Sequence, residues 1–546
     1  MQLMPRYILF LCLGAAPATL LAQQRADTTI KGQTIQIHQT YKPEIKTSEK
    51  VSVAPQLPVT EQAAPVLKYE IPQQSLYFTY QSIPIRPLAM GVDTVKDHHH
   101  YYLKLGYGNY STPLINAGVS YGKEGEFGIT ADYEHLSGKG KIANQDFSRN
   151  IFNVNGNLIS KRHSYDANIQ LARRAFGAYG YDHSLYDYTK SQVQQVYSSG
   201  SITLKGRNTE SNRWNLDYQP EATFSVYGDK SGASEQTIAF KAPVQKHFSE
   251  YVFGGLAVEA NFTQFKRGSF TRGNNLLALV PSLNLEKEGV TLNLGVAPTL
   301  ASPGSNTYLL PRIYAAYSLS DNRFTVFGGW EGRIEQNTYQ RLSTMNPYMF
   351  NDYTMLNTKR MELYGGLKGT VGSHISFEGR IGYVSWEHLP VFVNDTLTDN
   401  KQFNVLYNNK VNALRVYGNF QYQLEQKLQL RFALDWYNYL DWTSNMDKLW
   451  HTPSLTTIAG ARYSPVKNLD ITVDMLTRSK MYALDKGNSR RTVQPYLDLN
   501  AGATYRLIDN VQLFLNVNNL FNNKYEQWYG YPVYGTNIVA GGLISF

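Results

Sequence analysis

The sequence predicts an all-β chain that folds as a transmembrane, antiparallel outer-membrane β-barrel of about 22 strands. From Tyr101 onward, apolar and polar residues alternate through segments of roughly 9–16 residues, long enough for tilted strands to cross a bilayer. Aromatic residues make up 13% of the chain and include 41 Tyr, whereas charged residues reach only 17%. Mean hydropathy is -0.38, and no segment after the N-terminus has about 18 consecutive apolar residues. This composition is typical of barrels in bacterial outer membranes and argues against helical spans.

Residues 1–22 have the pattern of a secretory signal peptide. Arg6 precedes an apolar run from Tyr7 to Ala16, and a second short run ends at Ala22. We expect cleavage near Ala22 and a location in the cell outer membrane of a Gram-negative bacterium. Cys12, the only cysteine, lies inside this peptide. The mature chain would then lack cysteine, which excludes disulfides, thiol catalysis and cysteine-based metal sites.

Residues 23–97 differ in composition from the rest of the chain. Strong periodicity is missing, and prolines recur at positions 43, 55, 58, 65, 72, 84 and 87. Because proline fixes its backbone angle and lacks an N–H donor, this stretch is predicted to be extended. We interpret it as a Pro-rich segment that lies in the periplasm or occupies the barrel lumen.

Residues 98–546 are predicted to form the barrel. Leu428, Leu430 and Phe432 share one face of a predicted strand, while Gln429 and Arg431 take the other. Short turns such as 372–373, 425–426 and 508–509 alternate with longer connections such as 176–193, 337–357, 387–409, 483–492 and 522–535. Short periplasmic turns and long external loops are the arrangement expected of outer-membrane barrels.

Charged residues at alternate strand positions are candidates for the lumen-facing set. They are Glu378, Arg380, Arg415, Arg431, Asp435, Asp470, Asp474, Asp498 and Arg506. Such side chains either line a path for a solute or pair across neighbouring strands and stiffen the wall. The sequence favours the second interpretation.

Aromatic residues are concentrated in the predicted external loops. The candidates are Tyr179, Tyr186, Tyr348, Trp528, Tyr529 and Tyr531. They form a ligand platform or partner surface, or else they belong to the interfacial girdle or to loop packing. The second interpretation is again the simpler one.

The net charge of +9 is dispersed, with no basic run and no nucleic-acid-binding motif. We therefore expect no nucleic-acid partner and attribute the charge to contact with outer-membrane lipid, including lipopolysaccharide, or to a basic lumen. No G-x-S-x-G motif accompanies His163, His183, His388 or His451. We expect neither an enzyme nor a cofactor or metal site.

The C-terminal sequence contains a recognisable pattern. Residues Asn519 to Glu526, Tyr531-Pro532, and Gly541 to Phe546 resemble the end of TonB-dependent outer-membrane receptors of the Bacteroidota type. The resemblance implies a 22-stranded barrel, a plug of roughly twice the length of 23–97, and an N-terminal box on which TonB pulls. We find neither a recognisable plug domain nor such a box in this sequence.

Three functions are compatible with these features. The first is transport of solutes across the outer membrane, by a plugless pore or one gated by the N-terminal segment. The second is a non-transporting barrel subunit of an assembly for barrel insertion, secretion or envelope anchoring. Its outer-membrane or periplasmic protein partners would bind residues 23–97 and the external loops. The third is an adhesin-like surface protein.

Overall fold

The computed structural model describes residues 100–123, 125–210, 212–304, 306–319, 323–350, 354–443, 446–486 and 489–546. The predicted signal peptide (1–22) and Pro-rich segment (23–97) lie outside the described residues. The cleavage near Ala22 and the absence of a plug therefore stay predictions.

Strands account for most of the described chain. The first group is β1 (Tyr101–Gly108), β2 (Thr112–Lys123), β3 (Phe127–Lys139), β4 (Asp146–Ile159), β5 (His163–Gly177), β6 (Gln194–Asn208), β7 (Leu216–Tyr218), β8 (Glu221–Asp229) and β9 (Ala233–His247). The second is β10 (Val252–Arg267), β11 (Phe270–Lys287), β12 (Val290–Ala301), β13 (Asn306–Leu319), β14 (Phe324–Glu335), β15 (Thr358–Val371), β16 (Ile375–Asn394), β17 (Phe403–Leu424) and β18 (Leu428–Thr443). The third is β19 (Leu455–Val466), β20 (Leu469–Arg478), β21 (Met481–Asp485), β22 (Ser489–Val493), β23 (Tyr496–Ile508), β24 (Val511–Asn518), β25 (Glu526–Trp528), β26 (Tyr531–Pro532) and β27 (Asn537–Ser545).

Two short helices lie in the connections, α1 (Lys190–Val193) before β6 and α2 (Tyr339–Met345) after β14. Among the described residues, no helix is long and apolar enough to cross a membrane.

The wall is a closed antiparallel barrel of 22 strands, which confirms the predicted fold class. One sheet contains 23 strands, but β7 and β8 both pair with β9 and act as one wall strand, interrupted at Gln219-Pro220. The first and last strands pair with each other, in register from Tyr102↔Ser545 to Gly108↔Val539. At the seam, Tyr101 and Phe546 exchange backbone hydrogen bonds of 2.8 and 2.9 Å. The terminal aromatic thus belongs to the closure of the barrel.

The alternation in sequence becomes two chemically different faces of the wall. Leu103, Leu105, Leu513 and Ile544 are exposed on one face. Lys104 takes the other face, where it lies over the ring of Phe514 at 4.2 Å from its centroid. The first face is the apolar outer surface that a lipid bilayer covers, and the second lines the lumen.

The longer connections gather at one end of the barrel, which we call the long-loop end, and both β1 and β27 have their free ends at the opposite, short-turn end. The structure differs from prediction inside three of these connections. The stretch 387–409 is mostly strand, since β16 continues to Asn394 and β17 starts at Phe403. A hairpin of β21 and β22 occupies 483–492, and α2 lies within 337–357. Apolar residues such as Val391 and Val393 are buried there, so packing between connections extends the regular structure beyond the wall.

Candidate functional site

The nine predicted lumen-facing residues share the inner face of the wall. The register joins Arg380 with Tyr417, Tyr417 with Asp435, and Arg415 with Tyr437. Further round, Arg431 is in register with Gly460, and Gly460 with Asp474. The same alternation places four further residues on this face: Glu378 in β16, Asp470 in β20, and Asp498 and Arg506 in β23. Whether any of them contacts a solute stays a prediction.

Arg415 is the centre of a buried charge network on this face. Its Nε donates to Asp435 at 2.7 Å, and its Nη1 lies 3.2 Å from Glu362. Arg360 also donates to Glu362, at 2.7 Å. Arg415 and Glu362 are only 6% and 7% exposed, so these two ions depend on their partners rather than on water. This part of the lumen wall is therefore paired across strands.

Other members of the set are more open. Arg431 pairs with Asp474 while both side chains stay at least half exposed. Arg380 lies over the rings of Tyr364 and Tyr417, at 5.2 and 5.0 Å from their centroids. Asp498 accepts a hydrogen bond of 2.9 Å from the hydroxyl of Tyr525. A guanidinium supported by two aromatic rings remains attractive to anions.

The lumen wall around β3 to β6 is different, because amides replace most charges. Asn153 donates to Asp132 at 2.9 Å, and Gln170 donates to Asn153 at 2.9 Å. Asn168 donates to Asn155 at 2.6 Å in the neighbouring row. Asn155 and Asn168 border a cavity of about 500 Å³. The wall therefore offers hydrogen bonds on one side and charges on another, which suits a polar, hydrated solute.

The long-loop end carries a buried apolar cluster, which we call the cap. Its buried members are Tyr179, Tyr197, Ala233, Phe265, Tyr339, Leu342, Met349, Met355, Phe392, Phe403, Val405 and Tyr531. They come from the inner faces of wall strands and from the connections after β5, β14 and β24. The connections thus fold inward and pack against the wall instead of projecting freely.

Helix α2 is the part of the cap that rests on the inner face of β8 to β10. The Glu235 carboxylate accepts hydrogen bonds from the backbone N–H groups of Tyr339 (2.6 Å) and Gln340 (3.1 Å). The Tyr339 hydroxyl donates to Asp229 at 2.6 Å, and its ring lies 5.2 Å from Phe265. Thr338 caps the helix by accepting from the N–H of Arg341. The helix is therefore held by polar and apolar contacts to the wall.

Tyr531 lies at the centre of the cap. Its ring stacks on Tyr348 with centroids 3.7 Å apart and meets the edge of Tyr179 at 4.9 Å. The Tyr531 side chain is only 2% exposed, and its hydroxyl donates to the carbonyl of Lys401. Burial raises the pKa of Tyr531 well above the ordinary tyrosine range. This tyrosine therefore joins three connections as a neutral packing residue.

A polar contact links two connections beside this centre. The Tyr188 hydroxyl donates to Asp399 at 2.7 Å, Lys401 pairs with Asp399, and the Lys401 ammonium lies 4.5 Å from the Tyr188 ring centroid. Burial by itself would raise the pKa of Asp399, but the hydrogen bonds from Lys401 and Tyr188 outweigh it and lower that pKa. The hydrogen bond to Asp399 is also the main cause that raises the pKa of Tyr188 to about 12. We call Tyr188, Asp399 and Lys401 the latch.

His451, between β18 and β19, is buried against the rings of Phe403 and Trp528. Its Nδ1 lies 2.8 Å from the carbonyl oxygen of Phe392, and its Nε2 lies 3.3 Å from the backbone nitrogen of Tyr529. A carbonyl only accepts and a backbone N–H only donates, so Nδ1 carries the proton and Nε2 is bare. Burial lowers the pKa of His451 to about 4, which agrees with this neutral form.

The six predicted loop aromatics occupy three environments. Tyr179 and Tyr531 are buried in the cap, against which Tyr348 and Trp528 pack, whereas Tyr529 packs against the β21–β22 hairpin. Tyr186 lies further out, stacked on Tyr188 at 5.9 Å. The sequence did not single out Asp399, Lys401 or His451 as a group. Their positions depend on which connections meet in space, and no local motif carries that information.

No protein-family model matches the sequence, and no curated protein matches it. Solved structures do match the fold. The FrpB iron transporter from Neisseria meningitidis aligns with a TM-score of 0.66 at 11% identity, covering 83% of this chain and 82% of that chain. The siderophore receptor PirA from Acinetobacter baumannii aligns with a TM-score of 0.62 at 11% identity, over 83% of this chain and 81% of that chain.

The ferric-catecholate import receptor Fiu from E. coli K12 gives a TM-score of 0.61 at 10% identity, over 83% of this chain and 82% of that chain. At such identities the likeness establishes the fold. It agrees with the barrel that the C-terminal resemblance implied.

Proposed function

We propose that this chain is an outer-membrane transport protein that passes a polar solute through its lumen. The observation that carries the proposal is a closed 22-stranded wall whose inner face is lined by amides and charges. Such a lining can replace part of the hydration shell of a polar solute as it passes. Its fold-level similarity to iron and siderophore receptors and transporters supports the same function.

The cap is the outer gate in this proposal. Tyr531, Tyr348 and Tyr179 join connections from different parts of the rim, so a solute enters only after they separate. Residues 23–97 are the inner gate, taking the place that a plug would have. The outer membrane is the location, because the apolar outer face requires a bilayer and the fold is that of outer-membrane receptors.

Conductance of the purified protein in planar bilayers tests this function. Four forms are compared: the full mature chain, Tyr531→Ala, a deletion of 23–97, and the combination of both changes. The barrel wall closes through β1 and β27, which lie outside the deleted stretch, so the deletion leaves the seam intact. We expect the full chain to be closed and the combined form to conduct.

A combined form that folds but never conducts would overturn the transport proposal. The same preparation shows whether another outer-membrane or periplasmic protein elutes with the full chain in stoichiometric amounts. Such a partner, together with a silent barrel, would instead favour the assembly-subunit function.

A further inference from the structure

One row of residues on the outer face, near the long-loop end, combines positive charge with small side chains. The register runs from Arg173 to Ser198, from Ser198 to Gly228, from Gly228 to Ser234, and from Ser234 to Lys266. We call these five residues the basic row. Tyr197, next to Ser198, points into the cap, so Ser198 and its row point outward.

The two cations stand at the ends of the basic row. Four strand spacings of about 4.8 Å separate them, which makes roughly 19 Å between their Cα atoms. Both are exposed, and neither forms an ion pair with an acidic residue among those the structure describes. Elsewhere on the outer face Lys359 is neutralised by Glu387 at 2.9 Å. The charge of the basic row is therefore available to an external anion.

The surface below the basic row, toward the short-turn end, becomes apolar within two outward positions. The first of these positions carries Leu171, Gly200 and Val226 on β5, β6 and β8, and Gln236 and Gln264 on β9 and β10. Below them Ile202, Phe224 and Ile238 are in register and exposed by 45%, 46% and 57%. The transition from basic to apolar marks the boundary between lipid headgroups and acyl chains.

A groove of about 790 Å³ crosses this boundary. Leu171, Arg173, Ser198, Gly200, Val226 and Lys230 are among the residues that line it. Asp229 and Glu235 line it as well, but both carboxylates accept hydrogen bonds from Tyr339 on the lumen side of the wall. The groove exists because Gly200 has no side chain: a Cβ there would lie 3.3 Å from Leu171 and 3.5 Å from Val226. The groove therefore offers a cationic upper part with serine hydroxyls and an apolar lower part.

We propose that the basic row and this groove bind a phosphorylated glycolipid of the outer leaflet, with the chemistry of lipopolysaccharide. Arginine and lysine hold its phosphates, Ser198 and Ser234 contact the sugar between them, and its acyl chains run down the apolar rows. The long-loop end faces the outer leaflet in barrels of this type, which places this lipid opposite the groove. The inference rests on the proposed outer-membrane location but not on transport. A barrel that conducts no ions would therefore not contradict it.

Native mass spectrometry of the full mature chain in non-ionic detergent tests the proposal. The probes are rough-type lipopolysaccharide, its dephosphorylated form, and phosphatidylglycerol. The variant is Arg173→Gln with Lys266→Gln. The matched control is Lys161→Gln with Lys467→Gln, which removes the same charge from exposed turns at the short-turn end. Heat-modified gel mobility verifies that every variant is folded.

We expect the Arg173→Gln, Lys266→Gln protein to bind lipopolysaccharide about thirtyfold more weakly, since each cation at an anionic lipid surface contributes a factor of about five. The control pair and the wild type should bind equally. Removal of the lipid phosphates should weaken binding to the wild type but not to the double variant. Equal binding by the double variant and the wild type would overturn the site. Equally tight binding of phosphatidylglycerol would overturn the assignment of a glycolipid as the ligand and would indicate a surface that binds anionic lipids in general.

Discussion

The Tyr188 hydroxyl and the Asp399 carboxylate, 211 residues apart in sequence, form a hydrogen bond of 2.7 Å over the mouth of the barrel. Tyr188 follows β5, and Asp399 lies at the turn between β16 and β17. These points are ten wall strands apart in a wall of 22, almost diametrically opposite. The bond is therefore a direct reporter of whether the cap is closed.

Tyr188→Phe removes this hydrogen bond and keeps the ring that lies beside Lys401. We expect the closed cap to lose about 1 kcal/mol, a typical contribution for a bond of this kind when partly exposed to water. Hydrogen exchange should then accelerate severalfold in 178–189 and in 395–402. Tyr186→Phe is the matched control. The Tyr186 ring stacks on Tyr188, and its hydroxyl forms no hydrogen bond with the residues that the structure describes. Equal acceleration in both variants would show that the latch contributes nothing.

Tyr531→Ala and Tyr531→Phe separate packing from hydrogen bonding at the centre of the cap. Loss of a buried aromatic side chain costs about 3–5 kcal/mol, so the alanine variant should have a largely open cap. The phenylalanine variant keeps the stack on Tyr348 and loses only the bond to the Lys401 carbonyl, which costs about 1 kcal/mol. Tryptic cleavage after Lys401 measures the difference, and we expect it to be fast only in the alanine variant. Resistance of Tyr531→Ala to trypsin would mean that the connections hold together without this residue.

The sequence was sufficient for the wall but insufficient for the cap. Alternation is a local property: a strand with an apolar outer face and a polar inner face repeats every second residue, whatever its neighbours. Leu428, Leu430 and Phe432 opposite Gln429 and Arg431 illustrate this, and the predicted strand count agrees with the structure. Connection length likewise follows from the spacing of these patterns.

Contacts within the cap follow from no such periodicity. Tyr348 and Tyr531 are 183 positions apart in the chain, and their stacking depends on how two connections fold over the rim. His451 illustrates the same limit, since in sequence it is one histidine among several. Only the carbonyl of Phe392, at the end of β16, and the N–H of Tyr529, in the connection after β24, give it a defined tautomer. The sequence did not predict the strands within 387–409. The alternation there is short, and a stretch of this length is equally typical of an external loop.

Acid should loosen the cap through His451. Its pKa is lowered to about 4 in the closed cap, against about 6.5 in an open one, so protons bind preferentially to the open form. The contribution of His451 to closure is thus fully present above pH 6.5 and is lost as the pH falls toward 4. The linkage amounts to about 1 kcal/mol at pH 5.5 and on the order of 3 kcal/mol below pH 4. Protonation at Nε2 would also set two donors, the new N–H and that of Tyr529, against each other.

His451→Gln is the control for this acid effect. A glutamine amide can donate to the Phe392 carbonyl and accept from the Tyr529 N–H, yet it does not titrate. Hydrogen exchange of 526–534 is compared between the wild type and this variant at pH 7.5, 5.5 and 4.5. We expect similar protection at pH 7.5 and a wild-type loss that grows at the two lower values. Parallel behaviour of the two proteins at all three pH values would assign the acid sensitivity to other groups.

The lumen wall permits a comparison between a paired and an open charge. Arg415→Ala leaves the half-buried Asp435 carboxylate without its cation and the buried Glu362 carboxylate with Arg360 alone, which we expect to cost about 3 kcal/mol, the lower end of the range for breaking a buried pair. Arg431→Ala breaks a pair whose side chains are 62% and 50% exposed, and pairs of that kind contribute about 0–1 kcal/mol. Unfolding temperature, followed by loss of the fast-migrating folded band on unboiled gels, should therefore fall sharply for the first variant and hardly at all for the second. Arg415→Ala with an unchanged unfolding temperature would show that this arginine does not stiffen the wall, and a role toward a solute would then explain its position better. Conductance provides the complementary measurement. Arg431→Ala is added to the form that combines Tyr531→Ala with the deletion of 23–97, and its ion selectivity is measured. We expect the selectivity to change, because an exposed lumen charge affects passing ions whereas a buried structural charge does not.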